Sequence, residues 1–403
     1  MQIEVIIEKK SHKLDAEEGK TILETLQEHG IHVLTAPCGG RGRCGKCTVE
    51  VEHMGEVLAC MTKVTDGMRI TIPEVQLRAQ KSKIAENGTV THYPADDGEG
   101  LDAACDIGTT TVVCHLIDGK TGEKLATVSE PSAQRSFGAD VLSRIQAAEA
   151  GKLEILKEQI IFQIAQMLRT LQKKTGRGEQ IQRLAVVGNT VMCHLFAGIS
   201  PVSIGVTPFM PQEFFGKEYT GEQLGLTDCR SVYIAPAVAG FVGGDITSDL
   251  LAVMQKNPKE KVLLLDIGTN GEMAVGNEEQ IYCCATAVGS AFEGAEMAMG
   301  MPAAAGAISH VWLDQRRIRV QVIGDEEACG ICGSGLIDAL AVILEMGLLD
   351  YTGLLKQKQS VSVAYRKYLG EYAGQPCVWL AHKVCVTQED IRGLQLAKAA
   401  FAA

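Results

Sequence analysis

No apolar run in this 403-residue sequence approaches the roughly 20 residues that a membrane-spanning helix needs, which argues against a membrane partner. Nor does the start read as a secretory leader. "MQIEVIIEKKSHKL" passes from a short apolar alternation straight into charge, so the expected location is the cytoplasm. An excess of positive charge is also missing. Lys and Arg number 38 against 49 Asp and Glu, a formal net charge of −11, and no Lys/Arg cluster offers the basic face that a nucleic-acid partner requires. Disulfide frameworks belong to small secreted chains, whereas here 14 cysteines are scattered through a large one, which leaves reduced thiols and metal ligation. With 46% hydrophobic and 22% charged residues the chain has the make-up of a globular protein of two or three domains, monomer and homodimer both open.

What is present begins with "APCGGRGRCGKCTVEV", residues 36–51. Cys38, Cys44 and Cys47 follow at gaps of five and two residues, and a fourth, Cys60, comes in "VLACMTKV". Residues 1–73 around them form a first domain: "QIEVIIE" and "HKLDA" alternate as strands, "TILETLQEHG" has helical spacing up to Gly30, and "CTVEVE", "EVLAC" and "MRITIPE" supply more strands. Four thiolates in a glycine loop suit a [2Fe-2S] cluster. Gly39, Gly40, Gly42 and Gly45 let the backbone wrap closely and aim N–H groups at sulfur. Arg41, Arg43 and Lys46 offset the cluster's charge, meet an acidic partner, or form a solvated face. Structural zinc is the competing reading, but zinc knuckles pair two short C-x-x-C units, and only Cys44 and Cys47 have that spacing. The segment resembles ferredoxin-type [2Fe-2S] domains of the β-grasp fold. Its first gap is closer to the adrenodoxin-type loop than to the plant-type one, and the twelve residues between Cys47 and Cys60 are fewer than usual.

Residues 74–101 lose periodicity and read as a polar linker that would let an electron-transfer domain move. A repeat follows. "ACDIGTTTVVCHL" (104–116) and "LLDIGTNGEMAVG" (264–276) each place Asp-Ile-Gly-Thr between two strands, about 160 residues apart. Such turns free N–H groups and hydroxyls for phosphate oxygens, while the Asp can hold Mg²⁺ through water; a tight turn at a core strand is the plain alternative. The pair resembles the two phosphate loops of the superfamily joining acetate and sugar kinases, heat-shock chaperones and actin (ASKHA), whose members are duplicated α/β lobes.

"FGADVLSRI" (137–145), "VVGNTVMCHLFAGISP" (186–201), "PAVAGFVGGDI" (236–246), "GSAFEGAEMAMGMPAAAGAI" (289–308) and "GICGSGLIDALA" (330–341) then resemble, in order, the motifs of ferredoxin-fused ATP-dependent reductive activators of corrinoid proteins. The resemblance implies an α/β and α+β multidomain chain. A β-grasp [2Fe-2S] domain (1–73) and the linker would precede a first α/β region (102–235) and a second ASKHA-type region (236–403). It implies Cys38, Cys44, Cys47 and Cys60 as cluster ligands. Asp106, Gly108, Thr109 and Thr110 would form the first phosphate loop, and Asp266, Gly268, Thr269, Asn270 and Gly271 the second, for Mg-ATP. It further implies a corrinoid protein of a methyltransferase system as partner, returned from cobalt(II) to cobalt(I), and an upstream low-potential electron donor. Members of the family continue past "TQEDIRGLQLAKAA" into an adenine-binding double-glycine loop. This sequence stops at Ala403 after a helix that Thr387 opens as N-cap, so a truncated product with an incomplete second lobe and ATP site is expected.

Several residues tempt without fitting. Cys283, Cys284, Cys329 and Cys332 suggest a second cluster, but adjacent cysteines rarely ligate one metal. His194 sits in an apolar stretch as a core histidine would, and 153–173 reads as a packing helix. Two other functions compete with the activator: an electron carrier whose kinase-like half is a docking scaffold, and a small-molecule kinase, for which no residue has a clear claim as general base.

Overall fold

The computed structural model describes residues 1–403 except 35, 37, 74–75, 77–92, 94–97, 139, 256–258, 269, 290–296 and 302. The described residues fall into two compact units, one running to 264 and taking in 272–284, the other comprising 265–271 and 285–403. Most of the expected linker thus lies outside the described residues.

The first unit opens with the hairpin β1 (Gln2–Ile7) and β2 (Lys10–Asp15), antiparallel in register from Gln2↔Asp15 to Ile7↔Lys10. Helix α1 (Ile22–Glu28) starts at Thr21, whose hydroxyl accepts from Glu24 N while the Glu24 carboxylate accepts from Thr21 N, a reciprocal cap. Strands β3 (Thr48–Val51), β4 (Gly55–Leu58) and β5 (Arg69–Thr71) complete a sheet of order β2-β1-β5-β3-β4, with β1 and β5 parallel. Ile22 and Leu26 of α1 are buried completely, as are Val5, Val49 and Ile70 of the sheet. Each such side chain contributes about 1.5–3 kcal/mol. This is the expected β-grasp domain.

The next sheet has the order β10-β11-β9-β6-β7-β8. Strands β6 (Leu101–Ile107), β7 (Thr111–Asp118) and β8 (Lys124–Pro131) form an antiparallel meander. Strand β9 (Ile181–Val187) lies parallel to β6, β10 (Lys217–Thr220) is the antiparallel edge, and β11 (Cys229–Ile234) lies parallel to β9. Helices α2 (Val141–Ala147), α3 (Leu153–Thr175), α4 (Thr190–Ala197) and α5 (Gly244–Met254) accompany it. Leu156, Ile160, Ile164, Met167 and Leu171, one stripe of α3, are fully buried, so the packing helix expected at 153–173 is present. Because Asp106 pairs with Val187 across β6 and β9, the turn after β6 and the turn after β9 meet at one end of the sheet. Ligands of α/β sheets collect at such carboxyl ends.

Strands β12 (Val262–Ile267), β13 (Asn270–Gly276) and β14 (Ile281–Ala287) form a three-stranded sheet. In the second unit, β15 (Ala307–Asp314), β16 (Arg317–Val322) and β17 (Gly330–Ile331) make a sheet of order β16-β15-β17. Strands β18 (Leu369–Tyr372), β19 (Gln375–Ala381) and β20 (Val384–Thr387) make another. With α6 (Gly333–Glu345) and α7 (Gln388–Ala402) they enclose a core in which Ile308, Ile331, Leu336, Ile343, Val378 and Val386 are fully buried. Thr387 is the N-cap of α7, accepting from Asp390 N, as its sequence suggests. Among the described residues no helix is long and apolar enough to cross a membrane.

Candidate cluster and phosphate sites

The glycine loop brings the four expected thiols together as two pairs. Cys44 donates to the Cys38 sulfur at 3.3 Å, and Cys47 to Cys60 at 3.3 Å, the second pair buried and the first part-exposed. Two pairs suit two metal centres with two thiolates each, whereas one zinc asks four sulfurs to converge on a point. Burial raises the Cys38 thiol, yet the Cys44 N–H and thiol and the N–H groups of Arg43 and Arg41 bring it down to about 7. Burial pushes Cys47 up to about 12. The N–H cradle follows from the glycines: Gly39, Gly40, Gly42 and Gly45 all have positive φ, and a Cβ on Gly42 would lie 2.7 Å from the Met61 sulfur.

The cluster loop does not stand clear of the sheet region that follows. Arg41 Nε donates to the Cys38 carbonyl at 2.9 Å, while its terminal nitrogen reaches Ser143 Oγ at 3.3 Å. Behind the loop, Gln27 Nε2 donates to the Ser136 carbonyl at 2.6 Å, and Gln159 Nε2 lies 2.9 Å from His32 Nε2. Burial alone holds the His32 imidazole down at about 4. The seam is polar and incompletely filled. A cavity of about 830 Å³ opens between Gln27, His32, Glu130, Phe162 and Gln163, and Gln159 Oε1 and Ser132 Oγ find no partner among the described residues.

At the end of β6 the first Asp-Ile-Gly-Thr loop is assembled from three places in the chain. Thr109 is buried; its hydroxyl accepts from Asn189 Nδ2 at 3.0 Å, and Asn189 Oδ1 in turn caps α4 by accepting from Met192 N. Asp245 N donates to Gly188 O at 3.2 Å, joining the start of α5 to the same turn. Glycine is required where these backbones touch, since a Cβ on Gly243 would sit 2.6 Å from Asn189 Cα and one on Gly188 2.8 Å from Ile107 O. Burial first, then the negative charges of Asp245 and Asp106, push the Cys193 thiol up. Thr110 O accepts from Ser132 N at 2.8 Å. Arg144, fully buried, donates to the Thr109 carbonyl, to Gly138 O and toward the Met192 sulfur, and so holds the loop from behind.

The second loop lies between β12 and β13, where Gly268 N donates to Asn270 O at 3.0 Å. Burial raises the Asp266 carboxyl. A Cβ on Gly271 would strike the Phe401 ring and Val288 at 2.5 Å, so this glycine makes room for the end of α7. Thr269, also expected here, is outside the described residues.

Three family models cover the chain: a 2Fe-2S iron-sulfur cluster binding domain at 4–74, the RACo middle region at 101–257, and the C-terminal ASKHA domain of RACo at 260–403. The chain is 30% identical to the corrinoid activation enzyme RamQ of Eubacterium limosum, over 91% of its own length and 77% of that protein's. It belongs to the RACo family. A second relative, the reductase of the Co(II) methylated amine-specific corrinoid protein of Methanosarcina barkeri, is 28% identical over 61% of this chain and 51% of its own. A solved reductive activator for corrinoid, iron-sulfur protein superposes with a TM-score of 0.66 at 27% identity, covering 99% of this chain and 82% of that one.

Within this RACo-family frame His194 and Cys332 have buried structural partners. His194 Nδ1 is 2.7 Å from Thr190 O, its Nε2 accepts from Glu213 N at 3.3 Å, and the ring meets Phe215 edge-on at 5.1 Å, so it is a satisfied core histidine. Cys332 is buried and donates to Ile308 O at 3.4 Å, and Cys329 reaches the Met301 sulfur and Gly306 O. Asn189, Asp245 and Arg144 also belong to the first phosphate site, although the motifs that contain them do not by themselves assign them to it. The signal was there in Gly-Asn-Thr, Gly-Gly-Asp and an arginine inside an apolar run.

Proposed function

We propose that this protein reduces a cobalt(II) corrinoid, held by a partner protein of a methyltransferase system, to cobalt(I), with ATP supplying what the electron alone does not. The reading is carried by one observation, the two thiol pairs around the glycine loop in the same chain as an Asp-Ile-Gly-Thr loop braced by buried Arg144. It agrees with the activities named for the relatives. A [2Fe-2S] group on Cys38, Cys44, Cys47 and Cys60 supplies one-electron transfer, at about −400 mV in plant-type domains. The N–H groups around Cys38 stabilise its thiolate, and Arg41 adds a positive charge beside the loop.

For Mg-ATP, the N–H groups of Gly108, Thr109 and Thr110 would receive phosphate oxygens, with Asp106 and Asp245 holding Mg²⁺ through water. Asp266, Gly268, Thr269 and Asn270 would serve the second loop. An electron arriving from a low-potential donor must reach a corrinoid that accepts it reluctantly, and each 59 mV of gap is a factor of ten for a one-electron couple. Tight binding of the partner, broken by ATP, offsets that gap. The polar, imperfectly filled seam at His32 and Gln159 suits a cluster domain that leaves its dock during transfer, because interfaces of this kind resemble transient ones.

The test is anaerobic reduction of a purified corrinoid protein by the cluster-loaded chain and a low-potential reductant, followed by cobalt(I) absorbance. Reduction should need ATP, and Asp106→Ala or Asp266→Ala should remove the ATP effect with the cluster spectrum intact. Equal reduction without nucleotide would make the chain a plain electron carrier with a kinase-like scaffold.

A further inference from the structure

One face of the β15–β16 hairpin belongs to no site described above. The register pairs His310 with Gln321, Trp312 with Arg319 and Asp314 with Arg317, so these six side chains share a face while Val311, Leu313, Ile318 and Val320 pack on the core side. The shared face is open: Trp312 is 40% exposed and the His310 and Arg319 side chains are about half exposed. At the tip, Gln315 and Arg316 take positive φ, the two-residue turn that hairpin twist favours, which projects Arg316 beyond the strands. Strand β16 is the edge of its sheet.

This face is built rather than incidental. The Asp338 carboxylate, presented by α6, accepts from His310 Nδ1 and from Val311 N at 3.2 Å, which fixes the imidazole. The imidazole stacks on Trp312 at 5.2 Å between centroids and 21° between planes, which fixes the indole. An aromatic anchor already held in place loses little side-chain entropy on binding. Around it Arg316, Arg317 and Arg319 stand against one carboxylate of the strand face, Asp314, which Arg319 approaches at 3.3 Å. Among the described residues no ion pair engages Arg316 or Arg317. A concentrated positive strip on a chain of net charge −11 is a local feature, and its composition of Arg and Trp is the one enriched at binding hot spots.

We infer that the Trp312–Arg319 face docks an acidic, carboxylate-bearing patch of a protein partner, the corrinoid protein under the function proposed above, on which that identification rests. Arg317 and Arg319 present forked donors to carboxylates, and Trp312 covers an apolar contact at the centre. A protein is favoured over nucleic acid because three arginines, one of them already facing Asp314, are too few to neutralise the phosphates of a nucleic-acid site.

The test measures binding of the cluster-loaded chain to a corrinoid protein that it activates, by biolayer interferometry at several salt concentrations. The double variant Arg317→Glu/Arg319→Glu should bind about tenfold more weakly, mainly through slower association, with a flatter salt dependence. Trp312→Ala should weaken binding by about tenfold through faster dissociation. Melting temperature and cluster spectrum should not change in the charge-reversal variant, whose positions are exposed. Polyglutamate should displace the partner from the parent chain. Parental affinity in the charge-reversal variant overturns the inference, and so does displacement by poly(U) at lower concentration than polyglutamate. If the parent activates no corrinoid protein, the function reading fails; polyglutamate binding, compared between parent and charge-reversal variant, then decides the face by itself.

Discussion

Arg144 donates to the backbone carbonyl of Thr109 from a fully buried position, 35 residues along the chain. The contact ties the first Asp-Ile-Gly-Thr loop to α2, and through Met192 to α4. It makes a guanidinium, normally a surface group, part of the support of a candidate phosphate loop.

Arg144→Met should therefore lose the bonds to Thr109 O and Gly138 O and leave buried acceptors unpaired, at a cost of about 3 kcal/mol. Thermal denaturation should show a lower midpoint, and calorimetry should show weaker Mg-ATP binding. The visible cluster spectrum should be unchanged. A variant with parental melting and nucleotide affinity would show that the loop needs no such brace.

Gly243→Ala should be damaging for a different reason. Its Cβ would meet Asn189 Cα and Thr190 N at 2.6 Å, backbone against backbone, with no flexible side chain to yield. Overpacking of this sort costs about 1–3 kcal/mol. Urea titration should register the loss, whereas Gly178→Ala, with nothing within 4 Å, should leave the midpoint alone.

The thiol pairs lead to a sharp contrast among cysteines. Serine at Cys38, Cys44, Cys47 or Cys60 should bleach the red-brown colour of anaerobically purified protein and lower iron from about two per chain. Serine at Cys283 or Cys332 should keep both. Iron analysis and reduced-state paramagnetic resonance decide it, and a colourless parent carrying one zinc would sink the cluster.

His32 should make the first unit sensitive to mild acid. Burial holds its folded pKa at about 4 against an ordinary 6.5, so between these values the unfolded or undocked chain binds more protons. The contribution is complete above about pH 6.5 and falls as pH drops toward 4, with roughly 2 kcal/mol gone at pH 5. Hydrogen exchange at Gln159 and Ser136, taken relative to the intrinsic rate at each pH, should speed up between pH 7 and pH 5. In His32→Asn that acceleration should largely vanish; an equal acceleration would assign the effect to other groups.

Local chemistry made much of this protein readable from its residues in order. The spacing of Cys38, Cys44, Cys47 and Cys60, the glycines that let N–H groups face sulfur, the cap at Thr387 and the stripe of α3 are short-range patterns, and each side chain's neighbours lie within a few residues or turns. The two Asp-Ile-Gly-Thr turns were legible for the same reason, since a turn between strands is encoded by the residues that form it.

What only the tertiary structure decided are the contacts between distant segments. Arg144 in an apolar motif reads as an exception until Thr109, Gly138 and Met192 surround it, and Asn189 reads as a helix cap until its amide also reaches Thr109. A polar linker that lets the cluster domain move does not reveal that Gln27 and His32 pack against Ser136 and Gln159, over sequence separations of 109 and 127 residues. A buried polar group announces only that it needs a partner, and which partner it finds is set by how strands β6 and β9 bring their ends together.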